Sequence, residues 1–527
     1  MSGSGDGETQ RVRSVTALTA GGRRLATRAD RIRPLLGPSR CSLEDLPRHR
    51  VEITARECPL CIPEADEDLV LHALQATSGC VGKTGLVAEE DPLIAEALAK
   101  LKAEDAEAAR DAEAAFGSLT WGEGLSVITQ ERLQQFLWYG LPMKWLTDTD
   151  HHRRIIAALG RAFDHLDLPR YAALCRSDTT AAVLEAYGRS DAEGNKAFLK
   201  ADAASGIRPP DIDELAWGSV MGVEESTALS STAELLELAV AGGELVPGAR
   251  GWKQRQADLV RAHLTTARLD LGGRTWLDAT RDERLDTWLS THRSPTRRRI
   301  LEPLVAVVQQ PAELPAGVDD PLPRLRWFLG ELAGGQPLTQ TGNLSRAFVQ
   351  DAASRFGWDF RSPPRTEDEL YDLHQLRHLT QRVGLARRTG RKLVLTTKGR
   401  AGLGDADLVW RAVARRLLPD HQFAAALGEI TLALLVDGER HATELDATLA
   451  EVVAEVGWRA TDTGLPPDES DISWAWHQTT NLLRALDVLA SGGGWEDRSY
   501  ALTPIGRAVG LECLHHRATG PRSSPWG

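Results

Sequence analysis

The residues of this sequence best suited to metal chemistry are four cysteines near its N-terminus. Cys58 and Cys61 form a Cys-x-x-Cys pair, and Cys41 and Cys80 lie on either side of it. Thiolates at this spacing can hold one side of a tetrahedral zinc ion, and Cys41 and Cys80 could supply the remaining ligands, with His49 or His72 as alternatives. A second close pair is missing, and reduced, structurally ordinary cysteines are the competing interpretation. The sequence therefore leaves zinc as a cofactor to test and otherwise predicts none.

A second set of metal-ligand types begins at Asp150, which precedes His151 and His152. A carboxylate-histidine cluster would add the residues about one helix length later, Asp164, His165 and Asp167. The simpler interpretation is that Asp150 caps a helix whose first turn exposes both histidines. The sequence favours this helix cap over a metal cluster.

Residues 82–84 read Gly-Lys-Thr and resemble the end of a phosphate-binding loop. Such a loop follows a β-strand, whereas the residues before Gly82 have a helical pattern. The chain also lacks a Gly-x-Ser-x-Gly, His-Glu-x-x-His or Rossmann glycine pattern in a suitable context. The sequence therefore favours a protein that is not an enzyme. The alternative is a helical enzyme whose site is assembled from scattered residues in 117–305.

The composition is that of a folded protein. Hydrophobic residues make up 42% and charged residues 26% of the chain, close to globular averages. No apolar run is long enough to cross a membrane, and the first residues lack the apolar core of a secretory signal, so we expect a cytoplasmic protein with no membrane partner. The net charge of −12 opposes binding to nucleic acid by the whole molecule. Any such binding requires a local basic face.

The elements that would position these residues are mainly helices. A clear helix begins at Asp91 and Pro92 and extends to Phe116. We expect its first half to bury an apolar stripe, and its second half, rich in Ala, Glu, Asp and Arg, to be solvated. Residues 117–305 continue as helical segments, and large side chains such as Trp138 and Trp217 are expected to fill a core.

We predict a mainly α fold with two α+β modules at the C-terminus. A 527-residue chain is long enough for several domains. A stretch rich in Pro, Gly and Asp separates the helical region from the modules and is typical of a linker. The predicted divisions are a flexible basic arm or an ordinary terminus at 1–55, helical domains at 56–305, the linker at 306–323, module one at 324–418, module two at 419–518 and a tail at 519–527.

One pattern occurs twice in the C-terminal third. LTTKGRA occupies residues 395–401 and LTPIGRA occupies residues 502–508, each after a stretch typical of a β-hairpin. Before each copy the pattern predicts a helix, a short strand, two further helices and the hairpin. The pairs His374-Gln375 and His477-Gln478 also lie at similar distances before the two copies. These coincidences indicate an internal duplication.

The third helix of module one has the plainest sequence signals. Thr366 and Glu369 match a capping box, in which each side chain binds the backbone N–H of the other residue. Gly384 can supply the left-handed end of the helix. Between them, one side of the helix is apolar at helical spacing, namely at Leu370, Leu373, Leu376, Leu379 and Val383.

This order of elements, with its closing Leu-Thr-x-x-Gly-Arg, resembles the winged helix-turn-helix domain. The resemblance covers residues 324–405 and 421–512 and implies two winged-helix-like modules, each with the hairpin as its wing. Residues 338–416 are also similar to the C-terminal part of a group of uncharacterised actinobacterial proteins related to a plasmid reading frame. Winged helices bind either nucleic acid or proteins. In both copies the turn before the third helix is longer than usual, which disfavours insertion of that helix into a major groove.

Charge distinguishes the two modules. The wing of module two contains Glu496 and Asp497 and would repel phosphate, whereas residues 384–400 of module one contain no acid. We expect a regulatory or nucleic-acid-associated protein that contacts DNA phosphates through module one and docks a protein through module two. The alternative is an interaction scaffold that binds no nucleic acid. The predicted phosphate contacts are Arg377, Arg382, Arg387, Arg388, Arg391, Lys392, Lys398 and Arg400.

Overall fold

The computed structural model describes residues 15–17, 91–358, 363–461, 463–494 and 498–522. Their contacts form two compact units. Unit one holds Arg281–Gly520 with residues 15–17, and unit two holds the described part of Gly21–Thr280 with residues 521–522. The described residues are mainly α-helical, with small antiparallel sheets belonging to the C-terminal modules, which confirms the predicted fold class. None of the described helices is long and apolar enough to cross a membrane.

Unit two is helical. Trp138 is buried as expected, and Trp217 packs partly buried against a second core. A single π-helical turn at Phe136–Gly140 lies between the third and fourth helices. The helices are α1 (Pro92–Glu104), α2 (Ala106–Thr120), α3 (Gln130–Gln135), α4 (Leu141–Lys144), α5 (Thr149–His165), α6 (Pro169–Cys175), α7 (Asp178–Arg189), α8 (Asp191–Ala204), α9 (Val223–Ala241), α10 (Trp252–Thr265) and α11 (Trp276–Ser290), which ends in unit one.

The helix predicted over residues 91–116 is two helices in the structure. Asp91 caps α1 as predicted, since its carboxylate accepts the backbone N–H of Leu93 at 3.0 Å. The helix stops because Asp105 is extended, with φ −157°, and its carboxylate accepts the first backbone N–H groups of α2. The prediction of a solvated second half was wrong, because α2 buries Ala109, Ala112, Ala115 and Phe116.

The helix cap predicted at Asp150 lies two residues earlier in the structure. Asp148 is extended and its carboxylate accepts the backbone N–H of His151 at 2.7 Å, so Asp150 falls in the first turn of α5. The prediction that both histidines are exposed was also wrong. His152 is buried, with its ring nitrogen 3.4 Å from the Trp145 carbonyl oxygen, and burial lowers its pKa.

Unit one contains β1 (Val15–Ala17), α12 (Pro295–Leu301), α13 (Val305–Val308) and two modules. Module one comprises α14 (Pro323–Glu331), β2 (Gln336–Pro337), α15 (Arg346–Phe356), α16 (Tyr371–Arg382), β3 (Ala386–Thr389), β4 (Lys392–Leu395) and α17 (Thr397–Gly402). Helix α18 (Ala406–Ala414) follows it. Module two comprises α19 (Gln422–Asp437), β5 (Arg440–His441), α20 (Ala442–Val456), β6 (Trp458–Ala460), α21 (Glu469–Ala485), β7 (Leu489–Gly492), β8 (Ser499–Leu502) and α22 (Pro504–Thr519).

The two modules have sheets of the same design. Each sheet has three antiparallel strands, in the order β2-β4-β3 in module one and β5-β8-β7 in module two. In both, the short strand between the first two helices pairs with the second strand of the hairpin. Module two adds β6, which pairs with β1. The predicted order of helices and strands is thus confirmed in both halves.

The repeated heptapeptide has the same structural role in both modules. The hydroxyl oxygens of Thr396 and Thr503 accept the backbone N–H groups of Gly399 and Gly506, each at 3.0 Å, and so begin α17 and α22. Each glycine packs against the carbonyl oxygen of the residue before its own hairpin, Leu385 in module one and Val488 in module two. A Cβ atom there would lie 1.9 Å from that oxygen in module one and 2.1 Å in module two. Only glycine fits, which explains the repeated Thr-x-x-Gly.

The predicted capping box before α16 is absent. Thr366 makes no cap hydrogen bond, residues Glu367–Glu369 form a 3-10 turn, and the carboxylate of Glu369 accepts the N–H of Arg365 at 2.9 Å instead. The helix therefore begins later, at Tyr371. Its apolar side is confirmed, since five side chains at the predicted spacing are buried: Leu370, Leu373, Leu376, Leu379 and Val383.

The Pro-rich stretch predicted as a linker lies against the core of unit one. Val308 and Leu322, near its two ends, are buried. Within it, the backbone N–H of Ala312 donates to the buried carboxylate of Glu512 at 3.0 Å. Apolar side chains of both modules join in one continuous core with these residues.

Candidate nucleic-acid interface

The hairpin of module one is a short ribbon of β3 and β4 closed by Gly390 and Arg391. Gly390 has φ +58°, a left-handed conformation that glycine adopts without steric cost. Four cationic side chains on this ribbon are exposed. We call them the wing cluster: Arg387, Arg388, Arg391 and Lys392.

The wing cluster surrounds the ribbon because strand side chains alternate between faces. Arg387 and Lys392 lie on the face that points away from the core. Arg388 is opposite the buried Leu393 and therefore lies on the other face. Arg391 occupies the turn. Positive charge is thus presented on both faces and at the tip.

No carboxylate among the described residues forms an ion pair with the wing cluster. Elsewhere in the chain, exposed arginines pair readily, as Arg153 does with Asp150 at 2.7 Å and Arg189 with Glu193 at 2.5 Å. An uncompensated group of four cations on a protruding ribbon can approach phosphate oxygens without first breaking an internal ion pair.

Arg377, another predicted phosphate contact, is engaged inside module one. Its side chain is 12% exposed, and its guanidinium lies 2.6 Å from the carboxylate of Glu367 and donates to the Gly342 carbonyl at 2.8 Å. Glu367 is fully buried and also accepts the backbone N–H of Leu344 at 2.7 Å. Arg377 therefore neutralises a buried carboxylate and fixes the turn before α16, which sequence spacing did not reveal.

The remaining three predicted contacts donate to backbone carbonyls. Arg382 donates to the carbonyl oxygen of Arg416 at 2.7 Å. Lys398 donates to the carbonyl oxygen of Val383, directly after α16, at 3.4 Å. Arg400 donates to the carbonyl oxygen of Leu395, the last residue of β4, at 3.1 Å. Both residues remain exposed. The structure thus brings four of the eight predicted residues together on the hairpin. The other four donate to internal partners, as does Arg388 of the wing cluster, whose Nε donates to the carbonyl oxygen of Gly390 at 3.0 Å.

The third helices of the two modules, α16 and α21, pack against each other. Arg484 of α21 donates to Asp372 of α16 at 3.2 Å. Residues 471–483 of α21 are all buried or half-buried, and in α16 only Tyr371 and His378 are exposed. Because a recognition helix needs a free face to enter a major groove, this packing favours contact through the hairpin instead.

The hairpin of module two carries small residues at the equivalent positions. Ala490 and Ser491 stand where module one has Arg387 and Arg388, and both are exposed. Glu496 and Asp497, which the sequence predicts to repel phosphate, lie outside the described residues.

The predicted zinc ligands also lie outside the described residues: Cys41, Cys58, Cys61 and Cys80. The same holds for the Gly-Lys-Thr triplet at 82–84. The described cysteines, Cys175 and Cys513, are buried thiols whose pKa burial raises to about 12. Asp164 pairs with Arg176, and the described residues hold no cluster of three or more His, Cys, Asp or Glu side chains suited to a metal.

A groove of about 680 Å³ runs along α1 and α2 in unit two. Its lining combines apolar side chains such as Phe116 with Lys102, Arg110 and Glu113. Asp91 at its edge is held by the backbone N–H of Leu125 at 2.6 Å. Among the described residues no hydrogen bond joins the lining side chains into a nucleophile and base.

Sequence reasoning missed Arg415 and Arg416, which follow α18. Both are exposed and, among the described residues, neither forms an ion pair. Burial, followed by the charges of these two arginines, lowers the pKa of Lys398, which places the three groups near one another. The available signal was two adjacent arginines directly after an apolar helix.

Comparison with known families gives a match in module one. Residues 329–407 match the model of the Y4jL N-terminal domain family. The match runs from the end of α14 to the start of α18 and so includes the hairpin of module one. It overlaps residues 338–416 and confirms that this part of the chain is similar to a plasmid-associated family. No curated protein and no solved structure matches the chain.

Proposed function

We propose that both modules are winged-helix domains and that module one associates with nucleic acid through its wing. The wing cluster carries this proposal, because it gathers four exposed cations without an acidic partner among the described residues. The shared strand order and the shared Thr-x-x-Gly closure support the assignment of the same domain type to both modules.

The contact is with the phosphate backbone rather than with bases. Phosphate contacts by Arg and Lys carry no sequence information and depend strongly on salt. Four contacts give an expected slope of about −3.6 for log affinity against log salt on B-form DNA. Because α16 and α21 cover each other, neither helix has a free face with which to read the bases.

Module two has a different partner in this proposal. Its hairpin carries Ala490 and Ser491 in place of arginines, and Asp468, Glu469 and Asp471 lie at the start of its third helix. Negative charge at this end disfavours phosphate, so we assign module two to docking a protein. The net charge of −12 is consistent with a nucleic-acid contact confined to module one.

Filter binding to duplex DNA of random sequence tests the proposal with the full chain. The variant reverses the wing cluster to glutamate at Arg387, Arg388, Arg391 and Lys392. The control reverses four exposed cations of unit two that have acidic partners, Lys100, Arg153, Arg189 and Arg255, and so changes the net charge equally. Circular dichroism checks that both variants fold.

We expect the wing reversal to lower affinity about 100-fold or more at low salt and to remove most of the salt dependence. The control should keep the slope of the unchanged protein. Equal binding by the wing variant and the unchanged protein contradicts the proposal. If the unchanged protein does not bind the duplex at low salt, module one is an interaction surface for proteins instead.

A further inference from the structure

A second group of cations lies where α16, α17 and α18 meet. Lys398 belongs to α17, and Arg415 and Arg416 follow α18. The Lys398 amine donates to the carbonyl of Val383, directly after α16, at 3.4 Å, and Arg382 donates to the carbonyl of Arg416 at 2.7 Å. These bonds hold the ends of the three helices together. We call Lys398, Arg415 and Arg416 the basal cluster.

The basal cluster is exposed and, within the described part of the chain, has no carboxylate in an ion pair with it. The acidic groups around the basal cluster interact with other arginines. Glu512 is buried and lies 3.5 Å from Arg411. The charge of Asp420 acts on Arg382, and within the described residues Asp420 forms no ion pair with the basal cluster. His516 beside it is kept neutral, since burial and then the charge of Arg415 lower its pKa to about 4.

A structural role accounts for only part of this arrangement. The Lys398 amine lies at the C-terminal end of α16, where its positive charge can stabilise the negative end of the helix dipole. The guanidinium groups of Arg415 and Arg416 make no hydrogen bond with the described residues, so capping does not explain why they are held there. Like charges brought together repel one another, and a bound anion would relieve that repulsion.

We propose that the basal cluster is a second phosphate-binding surface, used by the same nucleic acid that the wing cluster contacts. The inference rests on the proposed function of module one. The exposed positions favour an extended phosphate backbone, which several separate cations can contact at once, over a small anion enclosed in a pocket.

The test uses Arg415→Glu with Arg416→Glu in the full chain, because Lys398→Glu would place a carboxylate against a helix C-terminus and could unfold the module. The matched control is Arg298→Glu with Arg299→Glu, an exposed adjacent pair in the same unit. Those arginines have acidic partners, Glu302 at 3.5 Å and Glu451 at 3.8 Å. The probe is random-sequence duplex DNA, and the wing reversal is measured alongside.

We expect Arg415→Glu with Arg416→Glu to lower affinity about tenfold and to reduce the salt slope by about 1.8, whereas the control stays within about twofold of the unchanged protein. Unchanged binding by this variant, with binding lost on wing reversal, overturns the basal surface and leaves the proposed function standing. Loss with the basal variant alone overturns the wing contact, and with it the inference that both clusters contact the same nucleic acid.

Two other results also decide the matter. Equal loss in the Arg298 and Arg299 control shows a general charge effect and overturns the inference. Competition by inorganic phosphate, beyond that of chloride at the same ionic strength, shows a site for free phosphate and overturns the assignment to nucleic acid.

Discussion

Modules one and two share a backbone design and differ in the surface built upon it. Both order their strands identically and both close with a threonine cap and a glycine pressed against a carbonyl oxygen. Yet Arg387 and Arg388 of one hairpin correspond to Ala490 and Ser491 of the other. The residues common to both copies are those that packing requires, whereas the residues that differ determine which molecules each hairpin can contact.

The modules also differ in how they use buried charge. In module one Glu367 and Arg377 form an internal pair that fixes the turn before α16. In module two a buried carboxylate, that of Glu429 in α19, lies 3.3 Å from Arg297 of α12. Module one thus stabilises its own turn, while module two is joined to the helices that precede both modules.

The largest expected effect is on the free energy of unfolding, when an internal arginine of module one is replaced rather than an exposed one. Arg377→Met leaves the Glu367 carboxylate buried without its partner, and we expect the free energy of unfolding to fall by about 3–5 kcal/mol. Arg387→Met should change it by less than about 0.5 kcal/mol. Urea unfolding of both variants measures this. Similar midpoints would show that the buried pair does not fix the module.

The next effect concerns the shared closure. Gly399→Ala and Gly506→Ala each force a methyl group onto a backbone oxygen, and we expect each to lose about 1–3 kcal/mol. Gly330→Ala is the control, since nothing lies within 4 Å of the added methyl and alanine is the better helix former. Unfolding in urea compares them. A cost in only one module would contradict an equivalent role for the two glycines.

Transplanting the charges sharpens the comparison further. Ala490→Arg with Ser491→Arg places on module two the cations that module one carries on β3. We expect affinity for random duplex DNA to rise about three- to tenfold at low salt. The matched change of both residues to glutamate should not raise it. No gain with the arginines would mean that the hairpin of module two is not accessible to the duplex.

The smallest effect is on pH dependence. Burial lowers the pKa of His477, which stacks on Trp476 at 3.7 Å between ring centroids. The unfolded chain then binds this proton more readily than the folded one, so His477 costs stability as the pH falls below about 6.5. His477→Gln should therefore lose less stability between about pH 7 and pH 5 in urea unfolding. Equal flattening by His374→Gln would show that the effect is not specific to module two.

The local signals in the sequence predicted the elements that depend on neighbouring residues. The hairpins, the Thr-x-x-Gly closures and the apolar side of α16 all follow from spacing over a few residues. Asp105 could have been recognised as a helix cap, since aspartate favours that position, but the alanine-rich helix pattern around it outweighed the signal.

The long-range partners could not be predicted in this way. Arg377 and Arg387 look alike in sequence, and only the folded chain brings Glu367 and Gly342 to the first and leaves the second free. The basal cluster depends on the meeting of three helices, which no local pattern encodes.

The packing of α16 on α21 has a consequence for any shorter form of this chain. Each third helix covers the other, and the apolar side chains of both copies belong to one core. A fragment limited to residues 329–407 would leave that side of α16 open to water. We therefore expect the fragment to be less stable than the same residues in the full chain, where α21 shields that side from solvent.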